Sequence, residues 1–539
     1  ERERDRDRPT DRPTDRRTEG PTGRRPTPTT PFKNNGAAYN QEEQQEKDRL
    51  AEIQQGLSEE RKQQIVDEAI ALKQRQEMEE NLDILPKVGI EDIPKDIFYA
   101  EKRAFTQAPL PLTSYNAGTN GIVYQQVIMA MPDLTSEEMD LLPLYSTCAT
   151  EMGVGDKDYM ATQLWHSSVV GSYSASANVR ADKDDLEKLH GNISFSAKGL
   201  ASNQSAMTDL MQQSIEQTRF DELPRLRELV AQIRSYRESS IVGNGHVMAM
   251  TAAASGMSAN AHLTQRWGGL TGLSLLKTLD SSLDDNHQLA ALSSQLQGIH
   301  TKVLQQSRQY LLVAESERLD AFAAQIQSGF SHQAQPSFSA SNLIQYQPLL
   351  APVNHCWTAN TQISFCARAY PTVAAGHPDA APLTVLGGVL RNGFLHRAIR
   401  EQGGAYGGGA SQDNQSGAFR FFSYRDPRIE GTLSDFDQSI IWLLEKPVSA
   451  DKIEEAILGV IGSLDKPSSP AGEAIQAFHS ELNGRNKVSA MAFRTRVLAV
   501  TERDLKRVAD QYLRPEFAQT AVITNVDLAA TIGLTTIAV

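Results

Sequence analysis

This sequence has few cysteines, no long apolar run and no excess of positive charge. The 539 residues contain three cysteines, Cys148, Cys356 and Cys366, and so odd and sparse a set is not a disulfide framework. It favours a reducing compartment, either the cytoplasm or an organelle matrix. No apolar run approaches the ~20 residues that a membrane helix requires. The net charge of -13 argues against binding nucleic acid or an anionic membrane surface.

The N-terminal stretch also lacks the features of a folded domain. Residues 1–38 consist largely of Arg, Asp, Glu, Thr and Pro, and such a composition has almost nothing apolar to bury. We predict a disordered low-complexity tail. No signal peptide is expected, because the N-terminus has no apolar core segment.

Residues 39–96 are predicted to form a helical hairpin linker. Gly56 interrupts the helical pattern, and Ser58 is a candidate N-cap because two acidic residues follow it in the first turn. A connector with two prolines, LDILPKVGIEDIP, comes next.

Two similar stretches occupy the rest of the chain. In each, an alternating strand is followed by a proline and an aspartate that open a helix, at Pro132 and at Pro378. The first of these helices has a predicted capping box from Thr135 to Glu138 and ends at Gly153, and the second ends at Gly403. A unit that recurs in this way indicates a duplicated domain.

The predicted fold class is therefore α+β, with two similar domains. Each domain is a mostly antiparallel sheet with helices on one face. We expect the first α+β domain at 97–330 and the second at 331–539, after the linker and the tail.

No metal site is predicted in this chain. The sequence contains neither HExxH nor the inverted HxxEH motif. His355, Cys356, Cys366 and His377 lack the short spacings of structural zinc ligands, and Cys366 lies within an alternating strand, where it is better interpreted as a small buried apolar residue. A nucleophile elbow of the G-x-S-x-G type is also missing.

One segment carries possible chemistry, REQGGAYGGGA at residues 400–410. Arg400 lies in the last turn of a predicted helix, and Tyr406 precedes the glycines Gly407, Gly408 and Gly409. Successive glycines in a strand indicate the close approach of a ligand or another backbone. The structural alternative is an Arg that complements a helix dipole and a Tyr that packs in a core. From spacing alone, that alternative is preferred.

The stretch from Ala369 to Pro427 resembles the presequence proteases, a branch of the pitrilysin and insulin-degrading-enzyme superfamily of inverted-motif zinc peptidases. The resemblance rests on AYPTVAAGHPDAAPLTVLGGVLRNGFLHRAIREQGGAYGGGA and on FFSYRDPR. The hairpin with its connector and the strand NAGTNGIVY also resemble that branch, so that the similarity extends over roughly residues 40–539.

The resemblance implies a metalloendopeptidase that degrades presequences and other short unfolded peptides, with this chain as its C-terminal half and both domains peptidase-like. Zinc would be bound by an N-terminal half, either in the same polypeptide or as a separate subunit, and not by this chain. Arg400 and Tyr406 match the family's Arg and Tyr that act on the scissile peptide, and Gly407 to Gly409 would lie beside the substrate. The alternative is a non-catalytic binding or assembly subunit of a peptidase-like heterodimer. On either hypothesis, the chain alone is expected to be inactive.

Overall fold

The computed structural model describes residues 47–77, 86–104, 110–330 and 343–539, without the side chains of residues 76, 77 and 104. The predicted tail lies outside these ranges. By its internal contacts the chain divides into two units, Glu1–Lys87 and Val88–Val539.

The described part of the first unit is helical. Helix α1 covers residues 47–56 and helix α2 covers Glu59–Glu77. The backbone N–H of Arg61 donates a 3.2 Å hydrogen bond to Oγ of Ser58, which confirms the predicted N-cap. The predicted interruption after Gly56 is confirmed as well.

The second unit contains two sheets. In the first sheet the strand order is β1-β2-β6-β3-β5-β4, and β7 pairs with the first two residues of β5. Its strands are β1 (Lys102–Ala104), β2 (Leu112–Asn116), β3 (Ile122–Ala130), β4 (Ser172–Ala181), β5 (Leu189–Leu200), β6 (Arg308–Ala314) and β7 (Leu343–Ile344). The helices between them are α3 (Ser136–Glu151), α4 (Tyr159–Val169), α5 (Gln204–Gln217), α6 (Leu223–Ala254), α7 (Ala259–Trp267), α8 (Leu270–Ser282), α9 (Asn286–Leu304) and, after β6, α10 (Leu319–Phe330).

In the second sheet the strand order is β10-β11-β9-β12-β8-β13. Its strands are β8 (Asn354–Thr358), β9 (Phe365–Pro371), β10 (Gly407–Asp413), β11 (Ala418–Tyr424), β12 (Gln519–Thr524) and β13 (Thr535–Ala538). The accompanying helices are α11 (Ala380–Leu390), α12 (Glu430–Glu445), α13 (Ala450–Leu464), α14 (Pro470–Leu482), α15 (Lys487–Leu498), α16 (Glu502–Tyr512) and α17 (Val526–Ala529), together with a π-helical segment (Arg391–Gln402). Single 3₁₀ turns occur at Ile90–Asp92, Ala201–Asn203 and Pro515–Phe517.

The two sheets share one topology, which agrees with the predicted duplication. In the first, β2 runs parallel to β6, and β3 is antiparallel to both β6 and β5. In the second, β8 runs parallel to β12, and β9 is antiparallel to both β12 and β11. Strands β4 and β10 are therefore equivalent, and each is an edge strand that pairs with the strand after it in sequence. The α+β class with two similar domains is confirmed.

Each sheet has its own helices on one face and a helix from the other half of the unit on its second face. Tyr370, Phe419 and Phe421 of the second sheet pack with α11. On the opposite face, Phe365 and Ala367 pack with α6, a helix that follows the first sheet's β5 in sequence. Reciprocally, α14 packs on strands β2, β3 and β6 of the first sheet. The exchange buries both faces of each sheet in one compact unit.

The predicted helix starts are reproduced in detail. Thr135 caps α3, and the side chains of Thr135 and Glu138 form the predicted capping box, each accepting a hydrogen bond from the other's backbone N–H. Helix α3 ends at Glu151, just before Gly153, and α11 begins after Asp379 as predicted.

Candidate functional site

Arg400 is positioned by an unusual helical segment. Helix α11 continues after Leu390 into a π-helical segment, Arg391–Gln402, which ends at Gly403. The predicted end of the helix is confirmed, but the wider turns were not predicted, because apolar spacing does not distinguish the two helix types over a short stretch. Leu395 and Ile399 hold this segment in the core, so Arg400 is presented on its exposed side. Segments of this kind occur often at functional sites.

Two glycines end this segment for steric reasons. A Cβ on Gly403 would lie 1.9 Å from Nη2 of Arg428, so no larger residue fits there without moving that guanidinium. Gly404 has a positive φ of 80°, a conformation that glycine adopts without strain. Its N–H donates a 3.1 Å hydrogen bond to the carbonyl of Arg400. The chain thereby reverses within two residues and brings Tyr406 back towards Arg400.

Arg400 and Tyr406 form a neighbouring pair at the surface. Cζ of Arg400 lies 5.9 Å from the centroid of the Tyr406 ring, within the range of a cation–π contact. Tyr406 is 67% exposed, and Arg400 is exposed as well. Within the described ranges, Arg400 forms no ion pair, and the Tyr406 hydroxyl forms no hydrogen bond. Both donors are therefore available to a ligand.

The backbone of Tyr406 is fixed by the turn that follows β11. Its N–H donates hydrogen bonds to the carbonyls of Tyr424, at 3.1 Å, and Arg425, at 3.3 Å. Arg425 has a positive φ of 51°, which is uncommon for a residue other than glycine. The buried carboxylate of Asp426 secures this turn by accepting from the N–H of Arg428 at 2.9 Å and from the hydroxyl of Thr432 at 2.7 Å.

A chain of rings connects Tyr406 to helix α6. The rings of Tyr406 and Tyr424 meet edge to face, with centroids 5.6 Å apart, and Tyr424 meets the His246 ring in the same way at 4.8 Å. Burial lowers the pKa of His246 and so disfavours the charged form of the imidazole that packs against the aromatic rings. Sequence analysis assigned no role to Tyr424 or His246. His246 and Tyr424 are far apart in the sequence, and no motif connects them.

The predicted glycine strand is the edge of the second sheet. Strand β10 pairs with β11, and no other strand of the described ranges pairs with it. Because the N–H of Tyr406 points to β11 and directions alternate along an antiparallel strand, Gly407 and Gly409 turn their backbone groups outward. A Cβ on Gly407 would meet nothing within 4 Å. The side of the strand next to Tyr406 is therefore open.

The cysteines and histidines that were considered as zinc ligands lie on or near neighbouring strands. Cys356 and Cys366 both face Val522 of β12 in the strand register, one from each side. Both thiols are buried and unpaired, and burial raises the pKa of Cys356 to about 11. In the parts of the chain that the structure describes, no group of three or more His, Cys, Asp or Glu side chains could hold a metal ion.

No described helix is long and apolar enough to cross a membrane.

Comparison with protein families finds two matching models. Residues 35–279 match the associated domain of peptidase family M16, subfamily C, and residues 356–526 match the PreP C-terminal domain. The second match contains Arg400, Tyr406 and the glycine strand. The two matches leave residues 1–34, 280–355 and 527–539 unassigned. The middle one of these segments contains α9, β6, α10 and β7, and the last contains β13.

Curated relatives agree with these matches. The chain is 29% identical over 465 residues to the mitochondrial presequence protease of Yarrowia lipolytica, and the match covers 85% of this chain and 46% of that protein. It is 28% identical to the mitochondrial presequence protease of Danio rerio, with 87% and 47% covered. The chain thus spans about half the length of the curated relatives it matches.

Two solved structures share the fold at low sequence identity. A protease from Helicobacter pylori matches with a TM-score of 0.54 at 12% identity, covering 79% of this chain and 100% of that one. A peptidase M16 inactive domain from Pseudomonas fluorescens matches with a TM-score of 0.52 at 15% identity, covering 80% and 98%. The two family models and the curated relatives together show that the chain resembles the C-terminal half of a presequence protease, and the solved M16 structures share its fold.

Proposed function

We propose that this chain is the substrate-binding half of a zinc metalloendopeptidase that degrades presequences and other short unfolded peptides. The observation that carries the proposal is the pairing of Arg400 and Tyr406. Their donor groups are exposed, adjacent and unpaired within the described ranges, at the point where the open glycine strand begins.

The chemistry of the two side chains suits a carbonyl oxygen that gains negative charge. Arg400 carries a permanent cation with several N–H donors in one plane, and the hydroxyl of Tyr406 is a neutral donor. Donors held where an oxyanion develops stabilise the tetrahedral intermediate of peptide hydrolysis. The hydrogen bonds that fix the Tyr406 backbone and the buried base of the π-helical segment hold these donors in place before substrate arrives.

The open edge of β10 supports binding of an extended peptide. The outward backbone groups of Gly407 and Gly409 can pair with a peptide main chain, as strand addition requires. Gly408 lies on the inner side, where a Cβ would be 2.9 Å from the side chain of Ile399. Main-chain pairing selects for extended substrates and not for a particular sequence, which suits a peptidase of unfolded peptides.

The described residues of this chain offer no set of zinc ligands, so no step of the mechanism is assigned to a metal here. Activation of the attacking water would come from a partner half that carries the HxxEH motif, in the same polypeptide or as a separate subunit. Neither nucleic acid nor a membrane is part of the proposal. The three buried free cysteines support placement in a reducing compartment.

Mixing the halves tests the proposal. The chain is incubated alone and with the N-terminal half of a presequence protease, and cleavage of a fluorogenic unstructured peptide is followed. We expect no cleavage by the chain alone. In the mixture we expect more cleavage than the N-terminal half gives by itself. The alternative, a non-catalytic assembly subunit, would be favoured if the halves associate without any gain in cleavage. It would also be favoured if replacement of Arg400 leaves cleavage unchanged.

A further inference from the structure

A cavity of about 370 Å³ lies where the edge strands β4 and β10 approach helices α6 and α7. Arg180 of β4, Asn260 of α7 and Asp413, Gln415 and Arg420 of the β10–β11 hairpin contribute to its polar lining. We call it the arginine cavity. Its volume is in the range of sites that hold part of a ligand and far exceeds that of one water molecule.

The arginines of this cavity are not fully paired. Arg420 forms an ion pair with Asp413 at 3.0 Å, but its Nε is buried and has no hydrogen-bond partner among the described residues. The carboxylate of Asp413 also accepts from the N–H of Gln415 at 3.0 Å and from the hydroxyl of Ser416 at 2.7 Å. Arg180, which lines the cavity from β4, forms no ion pair within the described part of the chain.

A third arginine, Arg485, contacts the cavity-lining residue Gln415. With its amide correctly oriented, Gln415 accepts hydrogen bonds from Arg485 at 2.5 and 3.2 Å. Burial and the like charge of Arg180 both lower the pKa of the Arg485 guanidinium, and the charge of Asp182 acts in the opposite direction. The nearby carboxylate of Asp182 is shared with His190, at 3.1 Å. The charged residues that line the cavity itself are two arginines, Arg180 and Arg420, and one carboxylate, Asp413. This excess of one positive charge is what a single bound anion would neutralise.

The arginine cavity is aligned with the Arg400–Tyr406 pair. Tyr424, Phe422 and Arg420 are alternate residues of β11, so they share one face of the strand. The His246 ring contacts the rings of Tyr424 and Phe422 on this face. From Tyr424 to Arg420 the strand rises roughly 13 Å, about four residues of extended peptide. Gly407 and Gly409 are the cross-strand partners of Tyr424 and Phe422, so β10 places no side chain beside these two rings.

We propose that the arginine cavity binds a carboxylate of the peptide substrate, carried about four to six residues from the bond held at Arg400 and Tyr406. This inference rests on the proposed peptidase function. Carboxylates are the anions that peptides carry, and their planar oxygens match the guanidinium donors of arginine. The carboxylate comes either from the C-terminus or from an Asp or Glu side chain.

Peptide binding to the chain alone tests the proposal. Fluorescence anisotropy is measured with labelled unstructured octapeptides that end in a free carboxylate, in an amide, or in an amidated glutamate. We expect the free acid to bind about tenfold more tightly than the amide, as for one charge-assisted contact. If the amidated glutamate regains the affinity, the cavity accepts side-chain carboxylates; if it does not, the C-terminus is the ligand.

Arg180→Gln is the decisive variant, because Arg180 is exposed and has no structural partner in the described ranges. It should abolish the preference for the acid while leaving amide binding unchanged. Arg514→Gln, a matched change at an exposed arginine just after helix α16, should preserve the preference. Equal binding of acid and amide by the unmodified chain, or a preference that survives Arg180→Gln, would overturn the proposal. Arg400 is unchanged in both variants, so a negative result for the arginine cavity would leave the oxyanion role of Arg400 untouched. A negative result for the oxyanion role would likewise leave carboxylate binding in the cavity untouched.

Discussion

The guanidinium of Arg400 and the ring of Tyr406 lie side by side, with 5.9 Å from Cζ to the ring centroid, although a chain reversal separates them. Gly404, with its positive φ, makes the reversal possible. The Tyr406 backbone is then secured on the turn at Tyr424 and Arg425. This relationship places two unpaired donors together at the open end of β10.

Removal of the Arg400 side chain tests its catalytic role. In the enzyme assembled from both halves, Arg400→Ala should lower kcat by roughly 10²–10³, the usual loss for one oxyanion donor. Arg397→Ala is the matched control, since Arg397 is an exposed arginine on the same π-helical segment. Peptide cleavage rates under saturating substrate measure both. A near-normal kcat for Arg400→Ala would contradict the assigned role.

Removal of the Tyr406 hydroxyl separates chemistry from folding. Tyr406→Phe keeps the ring that packs on Tyr424, so the melting temperature should stay within about 1 °C of the unmodified chain, as for other surface changes. The lost hydroxyl donor should reduce kcat roughly 10²-fold. Thermal unfolding and steady-state kinetics decide the outcome together, and an unchanged kcat would remove Tyr406 from the mechanism.

Two glycines of α6 test the exchange of helices between the sheets. A Cβ on Gly245 would lie 2.5 Å from the Phe365 ring of the second sheet, whereas a Cβ on Gly243 would meet nothing within 4 Å. Gly245→Ala should therefore lower the free energy of unfolding by about 1–3 kcal/mol through overpacking. Gly243→Ala should raise it by up to ~1 kcal/mol, because alanine is the better helix former.

Urea unfolding of both variants provides the measurement. Both variants replace a glycine of α6 by alanine, so a difference between them in the free energy of unfolding reports the contact with Phe365. Equal stabilisation by the two substitutions would mean that α6 does not approach the sheet this closely in solution.

Replacement of Arg494, which pairs with Asp465, tests which contacts hold the chain near Pro94 at the start of the second unit. Arg494 is 4% exposed; its Nε and Nη2 donate to Asp465 at 3.0 and 2.7 Å, and Nη2 also donates to the carbonyl of Pro94 at 2.6 Å. Arg494→Ala leaves a carboxylate and a carbonyl without donors, and should cost about 3–5 kcal/mol in the free energy of unfolding. Arg514→Ala, on an exposed arginine, should cost less than about 0.5 kcal/mol. Comparable losses for the two variants, measured by urea unfolding, would contradict a structural role for the Arg494 contacts.

Buried histidines predict a loss of stability in acid. Burial lowers the pKa of His166 to about 4, and the same holds for His300, while histidine in an unfolded chain titrates near 6.5. The unfolded state thus binds more protons between these values. The free energy of unfolding should fall as pH decreases from about 6.5 to 4, with no further loss from these groups below that.

Replacement of one histidine isolates this effect. Between pH 7 and 4.5, His166→Gln should lose about 2 kcal/mol less stability than the unmodified chain, as measured by urea unfolding at each pH. His287→Gln changes an exposed histidine and should leave the pH profile as it is. A profile for His166→Gln that parallels the unmodified chain would show that His166 does not titrate in this way.

Local features of the fold could be predicted from sequence because their determinants are close together in the chain. The capping box of Thr135 and Glu138, the cap at Ser58 and the helix end at Gly403 each depend on residues within one or two turns. The two similar domains could be predicted for the same reason, because each copy of the strand–turn–helix pattern is itself a local feature of the sequence. The Arg400–Tyr406 segment was recognised through its resemblance to a family, since spacing alone favoured an ordinary structural role.

The sequence by itself determined the two-domain α+β class, several helix boundaries and the candidate Arg and Tyr, which follow from local periodicity, capping and short motifs. Only the tertiary structure decided that α6 lies on the far sheet, that His246 supports the rings beside Tyr406, and that Arg180 and Arg420 share a cavity. In each case the partners are far apart in the sequence. Their contacts depend on how two sheets and their helices pack, and no local pattern encodes that packing.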